Sequence, residues 1–161
     1  MKRRLNGFTL VELAVSISVI GLLATIGAIS YSNAQKNARD TARDSTVSVI
    51  VDSLEKYYRE NGEYPSVRSI VNSHSDNTAA AVATRLGVPQ SSLLLPNTPS
   101  SARTAISTTY SAQNDYLGYS ASRPSSIATC QDSLAGGCDS FTITYALESG
   151  IVKTIDSRYG N

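Results

Sequence analysis

The sequence predicts an α+β fold, with one long N-terminal α-helix that is apolar in its first half and packed in its second half on a small antiparallel β-sheet. Three observations carry that expectation. From Phe8 to Tyr31 the residues are apolar, small or hydroxyl-bearing, with Glu12 as the only charge. From Ser32 to Asn61 there is no proline, and apolar residues keep helical spacing. Period-two alternation is concentrated in the last third, most clearly in "FTITYALESGIVKTID" at 141–156.

The apolar run is long enough to span a membrane, because about two dozen residues at roughly 1.5 Å each reach across a bilayer core of about 30 Å. Lys2, Arg3 and Arg4 precede it and are expected to keep the N-terminus in the cytoplasm, with the rest of the chain outside. A secretory signal peptide has an apolar region of only about 7–15 residues and is cut after it. Here Gly7 lies before the run, so a cut at that point removes the charges and keeps the helix. Glu12 is the anomaly. A carboxylate near the centre of such a helix costs on the order of 2.5–3.5 kcal/mol on insertion scales. In a lone chain no partner for it is obvious in the run; the plain alternative is a residue that snorkels to the interface.

Beyond Tyr31 the helix is expected to continue. Ala34, Ala38 and Ala42 lie four apart, and Val47, Ile50, Val51, Leu54, Tyr57 and Tyr58 form an apolar stripe suited to packing on a domain. Lys36, Arg39, Asp40, Arg43, Asp44, Glu55 and Lys56 are expected on a solvated opposite face. Gly62 supplies the stop, giving a helix of about fifty residues, roughly 80 Å long. Pro65 prevents its resumption while Tyr57, Tyr58 and Tyr64 cover the junction. Between Ser66 and about Ala105 the chain reads as loop, including "VPQSSLLLPNTPSS". The exception is a short helix near 77–86, capped by Ser75 or Asp76 and stopped by Gly87. Strands are expected in "TAISTTYSA", in "DYLGYSA" and in 141–156. There Phe141, Ile143, Tyr145 and Leu147 share one face, and Ser149-Gly150 turns the last pair into a hairpin. Three or four strands would cover the helix stripe.

With 161 residues in all, the part after the apolar run supports one modest domain. The formal charge is +1; without Lys2, Arg3 and Arg4 the remaining 11 basic side chains face 13 acidic ones, a net of −2. Neither value marks a dedicated nucleic-acid binder, and no specific nucleic acid is expected. Cys130 and Cys138 enclose "QDSLAGG", a loop that a disulfide worth roughly 2–3 kcal/mol would close in an oxidising compartment. Two free buried thiols are the alternative. A two-cysteine metal site lacks ligands, since the one histidine, His74, is remote in sequence. There is no Ser-His-acid set that His74 completes, no phosphate-cradling glycine motif and no paired-carboxylate site, so no catalytic residue, cofactor or metal is expected.

The stretch "NGFTLVELAVSISVIGLLATIGAISY" resembles the N-terminus of type IV pilins and of the pseudopilins of type II secretion. Gly7, Phe8-Thr9-Leu10, Glu12, Gly21 and Tyr31 fall at the family's spacing. Independently, "LEKYYRENGEYP" at 54–65 resembles the helix end and following turn of major pseudopilins and several pilins. The resemblance implies a pilin-like fold. It also implies that the prepilin peptidase cuts after Gly7 and methylates Phe8, and that Glu12 pairs in the fibre core with the terminal amine of a neighbouring subunit. One departure is Ile29, where many members carry a proline at which the helix loosens; here such melting would rely on Gly21 and Gly27. Major pseudopilins resemble one another in binding calcium near this end, but the spacing of Asp132 and Asp139 does not match a defined ion loop.

On this reading residues 1–7 are a leader, 8–31 the transmembrane and assembly helix, and 32–61 its amphipathic second half. Residues 62–105 form a variable region and 106–161 the sheet. The resemblance implies a homopolymer built through helix packing, with the prepilin peptidase, the pilus assembly platform and its ATPase machinery as partners. The subunit would reside in the cytoplasmic membrane before assembly and in an extracellular filament after it, supporting adhesion, twitching motility or DNA uptake. Two alternatives are a major pseudopilin of a type II secretion system and a membrane-anchored binding domain that never polymerises.

Overall fold

A computed structural model of the chain describes residues 8–71, 78–96, 105–111, 116–123, 126–130 and 137–159. The chain divides into two compact units, Met1–Ala38 and Arg39–Asn161. Helix α1 (Leu10–Asn61) is 52 residues long and belongs to both. It stops where the sequence places its stop. Gly62 takes φ 77°, a left-handed conformation that side chains disfavour, and its N–H closes the last turn on the Tyr58 carbonyl at 2.7 Å.

In the Arg39–Asn161 unit the α1 stripe forms the core with one face of the sheet. Val47, Ile50, Val51 and Leu54 are buried in one cluster with Phe141, Ile143, Tyr145 and Leu147, the set that alternation assigned to a common face. Tyr64 stacks edge-on against Phe141 at 4.9 Å between ring centres, closing the junction below the helix end. The sheet comprises β1 (Ile106–Ser107), β2 (Leu117–Arg123), β3 (Ser126–Thr129), β4 (Ser140–Ala146) and β5 (Val152–Asp156). Its order is β1-β2-β4-β5, with β3 also paired to β2. The β4–β5 connection is the expected hairpin: the Gly150 N–H bonds the Leu147 carbonyl at 3.0 Å, and Gly150 takes φ 85° as the last residue of a three-residue loop.

Several expectations need correction. The sheet is mixed, not antiparallel, because β1 runs parallel to β2, pairing Ile106 with Leu117. "TAISTTYSA" contributes only two strand residues, and β3 was not foreseen; both are short edge pieces whose pairing depends on β2 and not on their own alternation. The segment read as loop holds a one-turn helix, α2 (Val67–Ile70), and a 3₁₀ turn at Gln90–Leu93. Helix α3 (Ala79–Leu86) is capped by the Thr78 side chain, which accepts from the Ala81 N–H, and ends at Gly87 with φ 65°. Ser75, Asp76 and His74 lie outside the described residues.

The charged side of α1 is only in part the solvated face expected for it: Lys36 and Lys56 are exposed, Arg39, Asp40 and Asp44 are half-buried, and Arg43 and Glu55 are buried. Arg43 is 1% exposed and Glu55 3%. The Glu148 carboxylate, in the β4–β5 loop, accepts from Arg39 at 2.6 and 2.7 Å and from Arg43 at 3.0 Å. Arg43 also donates to Asp40 at 2.6 Å, and Asp40 in turn accepts the Glu148 backbone N–H. One turn on, Asp44 accepts from Lys153 at 2.7 Å and from the Tyr145 hydroxyl at 2.8 Å. Arg43, Asp40 and Glu148 can be largely withdrawn from water because each meets an opposite charge in hydrogen-bonding geometry, whereas Arg39, Asp44 and Lys153 stay partly exposed. Glu55 accepts from the Tyr64 hydroxyl and the Arg158 N–H, both at 2.8 Å, so it fastens the segment after β5 to the helix end. Burial and the neighbouring Glu55 carboxylate raise the Tyr64 hydroxyl above its ordinary pKa; burial and Asp44 do the same for Tyr145.

Cys130 and Cys138 are joined in a disulfide with Cα atoms 5.9 Å apart, both buried. The bridge brackets the chain that leaves α1: the Tyr64 N–H donates to the Cys138 carbonyl at 2.7 Å and the Val67 N–H to that of Cys130 at 3.0 Å. Asp132 lies outside the described residues. Native protein is expected to resist thiol alkylation until reduced, and reduction should loosen this end of the domain without affecting membrane insertion. Rapid labelling of both cysteines without reductant, read by intact mass, would contradict this.

Candidate assembly site at the start of the first helix

Thr9 and Glu12 build the start of α1. The Glu12 N–H donates to Thr9 Oγ1 at 3.2 Å, while the Thr9 N–H donates back to Glu12 Oε2 at 2.9 Å. The Thr9 hydroxyl also donates to the same oxygen at 2.7 Å, and the Leu13 N–H closes the first turn on the Thr9 carbonyl. Thr9 is the N-cap, Glu12 the third helical residue, and the pair is a capping box. Within the chain, then, Glu12 does have a partner, Thr9, where none was obvious in the apolar run. The signal was legible as Thr-x-x-Glu ahead of an apolar run. Phe8 precedes the cap and is 76% exposed. Gly7 lies outside the described residues.

The helix surface that follows is uncovered. Its most apolar window has a mean hydropathy of 2.2, none of that window is buried, and by length and composition the helix can cross a membrane. Ser16, Ser18 and Thr25 return their hydroxyls to the carbonyls of Glu12, Ala14 and Leu22, so they present no unsatisfied donor to an apolar surrounding. Ala14, Ser18, Gly21, Thr25, Ala28 and Ser32 repeat at alternating spacings of four and three. At about 100° per residue they fall within roughly 80° of arc, a seam of small side chains that lets another helix approach closely. A Cβ built at Gly21 or Gly27 meets nothing within 4 Å, so neither glycine is required by this chain's own packing. Glu12 falls on the opposite side of the helix from the seam. The helix stays continuous through Gly21, Gly27 and Ile29, without a break at the proline-less position.

Residues 2–28 match the family model described as the prokaryotic N-terminal methylation motif. The chain carries the class III signal of type IV pilins and pseudopilins. No curated protein and no solved structure matches it. The class III signal covers the start of the chain and agrees with the pilin-like layout of one long helix and a small sheet. It implies processing by a prepilin peptidase, assembly in a pilus or secretion machinery, and membrane anchoring of the precursor by the apolar helix. It is the signal of a structural subunit. The structure brings Phe8, Thr9 and Glu12 together at the helix start. The disulfide belongs to the Arg39–Asn161 unit.

Proposed function

We propose that this chain is the structural subunit of an extracellular type IV pilus, cut after Gly7, N-methylated on Phe8 and polymerised through its N-terminal helix. The observation that carries the reading is the class III signal running into a helix whose apolar surface nothing in the described chain covers. Opposed features add to it. The small-residue seam addresses one neighbour and Glu12, across the helix, another; a fibre core supplies both, whereas a simple pair of helices supplies one. In that core the amine of Phe8 on an adjacent subunit would neutralise Glu12. The prepilin peptidase, the assembly platform and its ATPase are the partners of this route, which supports adhesion, twitching motility or DNA uptake.

The pseudopilin reading draws on the tyrosine-rich turn, in which Tyr64 is buried between Tyr58 and Phe141. Location separates the two: filaments sheared from the cell surface that contain this chain, beginning with methylated Phe8, support the pilus. A product confined to the periplasm supports the pseudopilus. Gly7→Val is expected to leave uncut precursor in the membrane. Normal maturation of that variant, read by mass, would overturn the peptidase assignment, and a mature chain absent from every fibre would return it to a non-polymerising anchor.

A further inference from the structure

The face of the sheet turned away from the core carries a groove of about 250 Å³. Thr142 and Thr144 of β4 and Ser120 of β2 form its floor and side, and the segment Thr108–Tyr110, which follows β1, forms its wall. Gly118 sets how deep the wall sits. A Cβ there would lie 2.9 Å from the Tyr110 backbone nitrogen and 3.3 Å from the Thr109 carbonyl carbon, so any larger residue would push the wall outward.

The lining is hydroxyl-rich and carries no charged side chain. Thr142 spends its proton on Asp156 at 2.8 Å and keeps acceptor capacity. The hydroxyls of Thr108, Thr109, Tyr110 and Thr144 make no hydrogen bond among the described residues. The core does not use these groups, and Tyr110, which also lines the groove, is 45% exposed.

We propose that this groove binds one neutral hexose ring, free or as a unit of a glycan. Hydroxyls that both donate and accept match the hydroxyl edge of a sugar, and an exposed tyrosine ring matches its C–H face. The lack of a lining cation disfavours phosphate, sulfate, uronate and nucleic acid, and the polar lining disfavours acyl chains and apolar peptide side chains. The volume falls below the roughly 300–1,000 Å³ of sites for drug-sized ligands, which limits the groove to about one ring. The proposal does not rest on the filament reading.

The test uses the full chain in lipid nanodiscs, free of glycoside detergents, with glucose, galactose, mannose, N-acetylglucosamine and their short oligosaccharides followed by amide chemical shifts. Saturable shifts at Tyr110, Gly118 and Thr144 with millimolar Kd are expected for at least one sugar. Tyr110→Ala should weaken binding about three- to tenfold, and near-isosteric Thr144→Val by a similar factor, with the other sheet amides unmoved. Tighter binding of the oligosaccharide identifies a glycan, and equal binding identifies a free sugar. No shift with any neutral sugar, shifts that both variants leave unchanged, or tighter binding of glucose 6-phosphate than of glucose would each overturn the proposal.

Discussion

Glu12→Gln is expected to be cut at Gly7 and methylated normally, to keep its helix start, and to lose filaments by more than about tenfold, since breaking a buried charge pair costs about 3–5 kcal/mol. The choice of glutamine follows from the capping box. Glutamine accepts the Thr9 N–H as glutamate does, so the helix start survives while the charge is gone. Cleavage after Gly7 leaves that N–H in place, so the box is present in precursor and mature chain alike. Thr9→Ala is the reciprocal variant: it removes a cap worth about 1 kcal/mol but leaves the carboxylate free to meet a neighbour's amine. If the charge drives assembly, the glutamine variant fails and the alanine variant assembles. The reverse pattern, measured by shearing and immunoblotting beside a mass check of processing, would return Glu12 to a purely local capping role.

The second large effect is expected at the Arg43–Glu148 pair. Arg43→Leu takes the buried guanidinium away from Asp40 and leaves Glu148 to Arg39, and should lower the stability of the Arg39–Asn161 unit by about 3–5 kcal/mol. Arg39→Ala, at a side chain 36% exposed, should cost less than about 1 kcal/mol. Denaturant unfolding of the full chain in nanodiscs, followed through the domain's tyrosines, measures both; equal small losses would show that the network is solvated after all. Acid sensitivity follows from the same network, through Glu148. The Arg39 hydrogen bonds, aided by Arg43 and opposed by burial, hold the Glu148 carboxyl down at about 2. Its folded pKa is therefore below the ordinary value of 4.5, so its contribution is complete above that value and is lost as pH falls from there toward 2. Glu148→Gln should flatten the stability curve across that window.

Much of this molecule was legible without coordinates, because the signals are local. The uncovered apolar first half of α1, the stops at Gly62 and Gly87, the hairpin at Gly150 and the inward set Phe141, Ile143, Tyr145 and Leu147 each follow from neighbours within a few residues. The capping box at Thr9 and Glu12 is equally local, written as Thr-x-x-Glu at the head of the apolar run. The parallel β1–β2 pairing, the attachment of β3, the burial of Arg43 and the hydroxyl groove beside Gly118 were decided by tertiary structure alone. A charge at position 43 looks like a solvated helix residue until Glu148, 105 positions away, comes within 3.0 Å of it. Helical period and caps report interactions of range three to five, whereas desolvation depends on what the fold brings alongside, and no spacing in the sequence encodes that partner.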